Sequence, residues 1–478
     1  MAGFITRRGL LGGVPLGFAA GQAGNPLRAG AVAVNITPSL GCDIAGSMTN
    51  HVARDVHDEL HARALVLDNG KARLAFVVCD LCVVAPEVIG NAKALIERHT
   101  GIPPRAVLVS ATHTHSAPAA ARLFQSEPDP RYMELLAARI SDAVRRALRR
   151  MQPARIGWGT GTENRLVFNR RYEMAPGAVP ANPFGATDRV LTNPGTGNAK
   201  VLRPAGATDP QVCLLAVQTV DGRPLCALGS YALHYVGGVP GDTISADYFA
   251  VWAGEMRQRL GGGPEFTAIL ANACSGNINN IDVRGSSKQY PPFAKMREVA
   301  AMLAGESHRV WQSISFHDWV ELESVMEEVS LGVRRPGAAE VEEARRLLPA
   351  DSRSVTERRQ IYAKETLALA GYPNQVTAPV QAIRIGELGI ATFPGEAFVE
   401  MGIEVKQKSP FKPTFLIELA NSYLGYIPTV SGHRDGGYET WRAKSSFLEV
   451  EAAPKLVAAA LSGLQKLRVQ RRPAPDGG

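Results

Sequence analysis

Two rhythms of apolar positions run along this chain. Residues 30–38 (GAVAVNITP) read as an opening strand that stops at a turn. Residues 62–67 and 73–79 read as strands joined by Asp68-Asn69-Gly70, a hairpin signal because Asn-Gly accepts left-handed backbone. Residues 86–99 carry apolar side chains at helical spacing and open on Pro86, which a first turn tolerates. A continuous apolar run at 106–111 (AVLVSA) has strand length, and 129–151 is a long amphipathic helix. Strand and helix alternate over short links. That predicts an α/β fold of mixed β-sheets flanked by helices, in one large domain.

The same rhythms continue. Strands are expected at 212–220 and 224–231 around Asp221-Gly222, at 266–271, at 380–385 and 388–393, and at 414–420. Helices are expected at 246–260, at 293–313, from about Glu396, and at 447–467. Residues 338–371 are helical and highly charged, and read as a solvent-facing pair. Residues 165–209 are rich in Asn, Gly, Pro and Ala, and read as a long loop or insertion over a site.

Composition removes several function classes. The 478 residues are 45% hydrophobic and 20% charged, which suits a globular protein and not a disordered one. No uncharged apolar run is long enough for a transmembrane segment. The net charge is +7, but no aromatics interleave with the basic residues, so nucleic acid is not an expected partner. The densest basic runs, 145–150 and 466–472, read as a solvated helix face and a polar tail. No feature sets an oligomeric state.

Residues 1–23 read as a twin-arginine export signal. Arg7-Arg8 precedes a short Gly-rich apolar run that ends in small residues near Ala23. A periplasmic or extracellular location is therefore expected, with residues 24–470 as the folded domain and 471–478 as a flexible tail. Cys79 and Cys82 form C-x-x-C inside VVCDLCVV. That context is a buried strand, so the six cysteines read as buried thiols and not as a redox pair or zinc ribbon.

The chemistry concentrates where apolar runs end. Ser110-Ala111-Thr112-His113-Thr114-His115 carries a strand directly into H-x-H. Residues i and i+2 of an extended segment face one side, so both imidazoles can reach one metal or one substrate. Three further segments have this shape: LGSYALH ends on His234, IATFPGE ends on Glu396, and FLIELANSYLGY carries Asn421, Tyr423 and Tyr426. Singly, each also fits a satisfied polar histidine, a carboxylate at a helix N-terminus, or packed tyrosines.

In this order the segments resemble the neutral (non-lysosomal) ceramidase family. VLVSATHTHSAP is similar to the family's strand into A-T-H-T-H-S-G-P, and VHDELHARALVL with FVVCDL to its early segment. ISADYF and FTAILANACSGNINN resemble I-S-G-D-Y and G-D-x-S/N-P. ATFPGEAFVEMG, ELANSYLGYIPT and GGYETW resemble P-G-E-F, A-N-x-Y-x-x-Y and Y-E-G. The match runs from about Gly30 to Leu467.

The resemblance implies one zinc ion per chain, held by His113, His234, Glu396 and Tyr423, with Tyr426 as the alternative to Tyr423. It implies that His115 and Arg170 hold the substrate carbonyl or the developing oxyanion, and that Tyr438 faces the pocket. Asn169, Arg171 and Tyr426 would contact substrate. The implied activity is hydrolysis of the amide bond of an N-acyl compound, such as ceramide or a related lipid, by metal-activated water. Zinc accepts such a ligand set and lowers the pKa of bound water toward ~7. An oxyanion donor is worth ~3 kcal/mol, and His115 is the nearest acid for the leaving amine.

Departures shape the expectation. Asn277 stands where the family has aspartate, and Asn279 where its longer members have serine, so no serine nucleophile is available there. Asn35 replaces an aspartate in the opening motif. The chain ends soon after its last helix, where longer members continue into a β-sandwich. A smaller ester or polar N-acyl substrate is therefore the alternative to ceramide, and a non-catalytic exported binding protein is the third reading. His51, His57 and His61 read as surface or supporting residues, with Asp58 and His61 at family positions.

Overall fold

The computed structural model describes residues 26–469, apart from 286–287 and 352–353, and the isolated residues 1 and 3. The export signal and tail read from the sequence otherwise lie outside the described residues.

An eight-stranded sheet carries the first half of the chain. Its order is Thr267–Asn272, Pro224–Tyr231, Gln211–Thr219, Gln152–Thr162, Arg28–Asn35, His61–Asp68, Arg73–Cys79, Val107–Ala111. The inner pairs are antiparallel, and the outermost pair on each side is parallel. A parallel pair needs a crossover. The Pro86–Thr100 helix supplies one, and the Asp247–Arg259 helix supplies the other. Every residue of both edge strands is buried, which is why they read as unbroken apolar runs. The hairpin at 68–70 forms as expected: Gly70 takes φ 81°, and Asn69 Oδ1 accepts from the backbone N–H of Lys71 and Ala72.

A four-stranded sheet carries the second half, in the order Leu322–Gly332, Gln375–Ile385, Leu388–Thr392, Thr414–Ile417. Its last pair is again parallel, and the Ala452–Val469 helix packs on it. The segment after Ile417 ties the two edges of the large sheet together. Glu418 N–H donates to Asn272 O on one edge, and Asn421 N–H donates to Val109 O on the other. Among the described residues no helix is long and apolar enough to cross a membrane.

Four expectations need correction. The Gln152–Thr162 strand, central to the large sheet, gave no apolar rhythm because Gly157, Gly159 and Gly161 occupy the face under the Ala294–Gln312 helix and the segment at 314–315 that follows it. The 165–209 insertion does lie over the site, but it is no plain loop: Val190–Thr192, Arg171–Met174 and Val201–Pro204 form a small sheet. The helix expected from Glu396 begins at Val399, and Glu396 sits in a two-residue strand paired with Tyr426. Of the charged helical pair, Ala338–Leu347 is solvent-facing, but Arg358–Ala370 buries Ile361, Tyr362, Glu365 and Leu369.

Candidate metal centre

The C-terminal ends of the parallel strands converge. His113 follows Val107–Ala111, His234 follows Pro224–Tyr231, Glu396 follows Leu388–Thr392, and Tyr423 follows Thr414–Ile417. The two histidines of H-x-H do meet, but not by strand alternation. His113 takes φ 74°, a left-handed turn that brings its Nε2 to 3.2 Å from His115 Nε2.

Hydrogen bonds fix which nitrogen each ring turns toward the other. His113 Nδ1 lies 2.8 Å from the Cys82 carbonyl oxygen, and His234 Nδ1 lies 3.2 Å from that of Ser275. Those carbonyls accept only a proton, so in the neutral form of each ring Nε2 is left as a bare lone pair. The two Nε2 atoms nevertheless face each other at 3.1 Å. Glu396 Oε2 lies 3.2 Å from one and 3.9 Å from the other, and it is buried without a hydrogen-bond partner. Two lone pairs and an orphaned carboxylate oxygen around one point fit a divalent cation.

The electrostatics agree. Burial alone would depress His113, but the facing Glu396 carries it well above the ordinary imidazole range, so the point draws positive charge. Burial, followed by neighbouring cations, holds His115 and His234 well below that range, in the neutral form that ligates metal. Burial opposes ionisation of Glu396, yet His113 and Arg170 hold its carboxyl below the usual range.

Of the two tyrosines in question, Tyr423 donates its hydroxyl to Glu396 Oε1 at 3.0 Å, and Tyr426 lies near enough to the same carboxyl to help lower its pKa. The Tyr426 hydroxyl also accepts from Arg170 Nη2 at 3.2 Å and lies 3.3 Å from the Tyr438 hydroxyl. Arg170 is buried, its Nε donates to Glu439 at 3.0 Å, and its Nη1 reaches 3.4 Å from His234 Nε2. Thr192 Oγ1 donates to the other Glu439 oxygen, so the insertion helps to fix this pair.

Asn169 and Arg171 do not line the cavity. The Asn169 amide donates to Ala207 O, and Arg171 donates to Gly432 O with its guanidinium over the Phe398 ring. Neighbours of Arg170 along an extended segment face away from it. Asn277 and Asn279 are also outside the cavity, Asn277 bonding Glu400 and Val399 N–H, Asn279 bonding Asn193. Ser275 Oγ donates to Glu418, behind His234.

Several contributors went unread in the sequence. Tyr235, next to His234, stacks on His115 at 3.8 Å. Gly46 backs the same ring, where a Cβ would come within 2.5 Å of it. Glu418 is fully buried; its Oε1 accepts from Ser275 N–H and Oγ–H, and its Oε2 from Ala397 N–H at 2.7 Å. It thus braces both the carbonyl that orients His234 and the residue after Glu396. Asp247, inside ISADYF, accepts from Val236 and Gly237 N–H and holds the loop after His234. Asp58 accepts from Ser245 Oγ and Ala246 N–H, and His57 stacks on Phe293, so this histidine cluster supports the loop from outside. The cysteines are all free, and all but Cys42 are buried; Cys82 lines the cavity.

The cavity so walled measures about 160 Å³. No protein-family model matches the sequence. Among solved structures, the neutral ceramidase from Pseudomonas aeruginosa is similar at 18% identity and TM-score 0.70, over 95% of this chain and 76% of that one. A ceramidase complexed with C2 is similar at 17% identity and TM-score 0.69, over 95% and 77%. At these identities the likeness is one of architecture: the chain is built on the mixed α/β fold of the neutral ceramidases.

Proposed function

We propose that this protein is a zinc-dependent amidohydrolase that cleaves the amide bond of an N-acyl compound of the ceramide type. The observation that carries the reading is the convergence of His113 Nε2, His234 Nε2 and the orphaned Glu396 Oε2 on one point at the wall of the cavity that His113 and Glu396 line. These three, with Tyr423, would hold the ion. When bound, zinc supplies a Lewis acid for the amide carbonyl and a water of lowered pKa.

The remaining work falls to the chain's own side chains. Arg170, kept cationic by Tyr438, Tyr426 and Glu439 against its burial, offers N–H donors to a developing oxyanion. His115 rests neutral, so its Nε2 can take a proton as water adds and return it to the departing nitrogen. Tyr235 and Gly46 hold that ring in place. Tyr426 and Tyr438 keep Arg170 pointed inward. Export by the twin-arginine route belongs to the same reading, because that route moves folded, metal-loaded protein.

A smaller or more polar N-acyl substrate is the second reading, favoured by a cavity of about 160 Å³ whose wall includes Asn193 of the insertion. A panel of ceramides, N-acyl amino acids and aryl esters, run on wild-type protein and on His113→Ala, tests both. Zinc-dependent amide cleavage that the substitution abolishes is expected. Activity that survives in His113→Ala, or no turnover of any acyl substrate, ends the hydrolase reading.

A further inference from the structure

Beside the candidate centre lies a second chamber of about 250 Å³. It shares Met48, Asn193 and Tyr438 with the first cavity, so the two adjoin across these side chains. Its other walls come largely from the 165–209 insertion, with Val179, Pro180, Val190 and Leu191 presenting apolar surface. A space so lined takes an apolar segment, with few polar groups to orient it.

Two charged side chains reach this chamber, and they differ in kind. Asp188 is engaged: its Oδ1 accepts from Asn182, and its Oδ2 from Gly437 N–H at 2.9 Å and Trp441 Nε1–H at 2.6 Å. It holds the wall. Arg358 has no ion pair with any described residue, although its neighbour Arg359 lies 3.7 Å from Glu343, and Arg442 is paired with Glu340. The Arg358 guanidinium lies 5.8 Å from the Trp441 ring centroid, which restrains it at the chamber wall. Exposed arginine beside an aromatic face, with its donors unmatched by any described residue, suits a carboxylate, phosphate or sulfonate.

We propose that this chamber is the chain-binding subsite and that Arg358 selects N-acyl compounds whose chain ends in an anionic group. The proposal rests on the amidohydrolase reading for what sits at the other end of the chain, namely the amide. It departs from an uncharged lipid as the preferred ligand. Chain length is set by the span from Glu396 to Arg358, so the preference for an anionic end should peak at one length.

Binding separates this proposal from the hydrolase reading. Calorimetry on the zinc-loaded full chain would compare octanamide with 8-sulfo-octanamide and their shorter and longer homologues. Sulfonate is chosen because it is a poor metal ligand. The sulfonated amide of the best length is expected to bind about fivefold tighter, the scale of one exposed ion pair. That ratio should fall to near unity in Arg358→Ala and be largely kept in Arg358→Lys. Leu191→Trp, which fills the chamber, should weaken both ligands. Equal affinities in the wild type, a preference that survives Arg358→Ala, or ligands indifferent to Leu191→Trp would each overturn the subsite. None of these results depends on turnover, so the subsite can fail while the hydrolase reading stands.

Discussion

At the scale of single residues, one backbone angle decides the centre. His113 sits at φ 74°, a region that non-glycine residues enter rarely and chiefly at functional sites. Residue types were legible in the sequence: H-x-H, the histidine of LGSYALH and the glutamate after Pro-Gly all come together at one point. The turn that joins them was not, because no spacing rule reports a left-handed histidine. Glu418 was equally hidden, since nothing marks a carboxylate as buried until its partners are in place. Replacing it tests its bracing role. Glu418→Gln puts an amide N–H₂ against donors that now face oxygen, at Ser275 or Ala397. Zinc affinity, read by chelator competition, is expected to drop about 10–100-fold, as for other partners behind metal ligands. Unchanged affinity in folded protein would remove that role.

Lys93 gives a residue-scale test of pH dependence. Burial in the Pro86–Thr100 helix pushes its pKa down to about 8. The unfolded chain then binds more protons than the folded one between about 8 and the ordinary lysine value near 10.4, so stability rises with pH across that window. Below it the full cost of the buried charge applies. Lys93→Met is expected to stabilise the protein by ~1–3 kcal/mol at neutral pH, with the gain shrinking as pH climbs through that window. Denaturant unfolding at several pH values checks it. A pH-independent gain would assign the effect to packing instead.

At the scale of elements, periodicity found what periodicity can find. The hairpin at 68–70 and the strand–helix–strand edges form nearly where apolar spacing places them. The Gln152–Thr162 strand escaped because one of its faces carries glycines, set by the close approach of the Ala294–Gln312 helix and the segment that follows it. A Cβ on Gly157 would lie 2.3 Å from Ile314 Cγ2 and 2.4 Å from Ser315 O. Gly157→Ala should therefore cost about 1–3 kcal/mol of stability, visible in chemical denaturation, while leaving zinc binding intact. Gly46→Ala should do the reverse. Its Cβ would press on the His115 ring, so amide turnover should fall further than stability, and a matched loss of both would show that the ring is not what Gly46 protects.

At the scale of the whole molecule, the centre is where separate sheets are tied together. The 418–421 segment hydrogen-bonds both edges of the large sheet and carries the brace for His234 and Glu396. The candidate ligands follow separate strand ends, so an ion bound there would link distant parts of the chain. A ligand that binds only the folded state raises its stability by mass action. Chelator is thus expected to lower the melting temperature of the wild type, and to have little effect on a His113→Ala/Glu396→Ala double variant. The order of these segments was legible in the sequence. Their closure was not, because contacts between residues hundreds of positions apart leave no local pattern.

The most direct test of the account is a zinc-edge anomalous map from crystals of the zinc-loaded protein. One peak is predicted, within ligand distance of His113 Nε2, His234 Nε2 and Glu396 Oε2, about 2.0–2.2 Å from each. A map with no peak at that point, or with its zinc bound elsewhere, would contradict it.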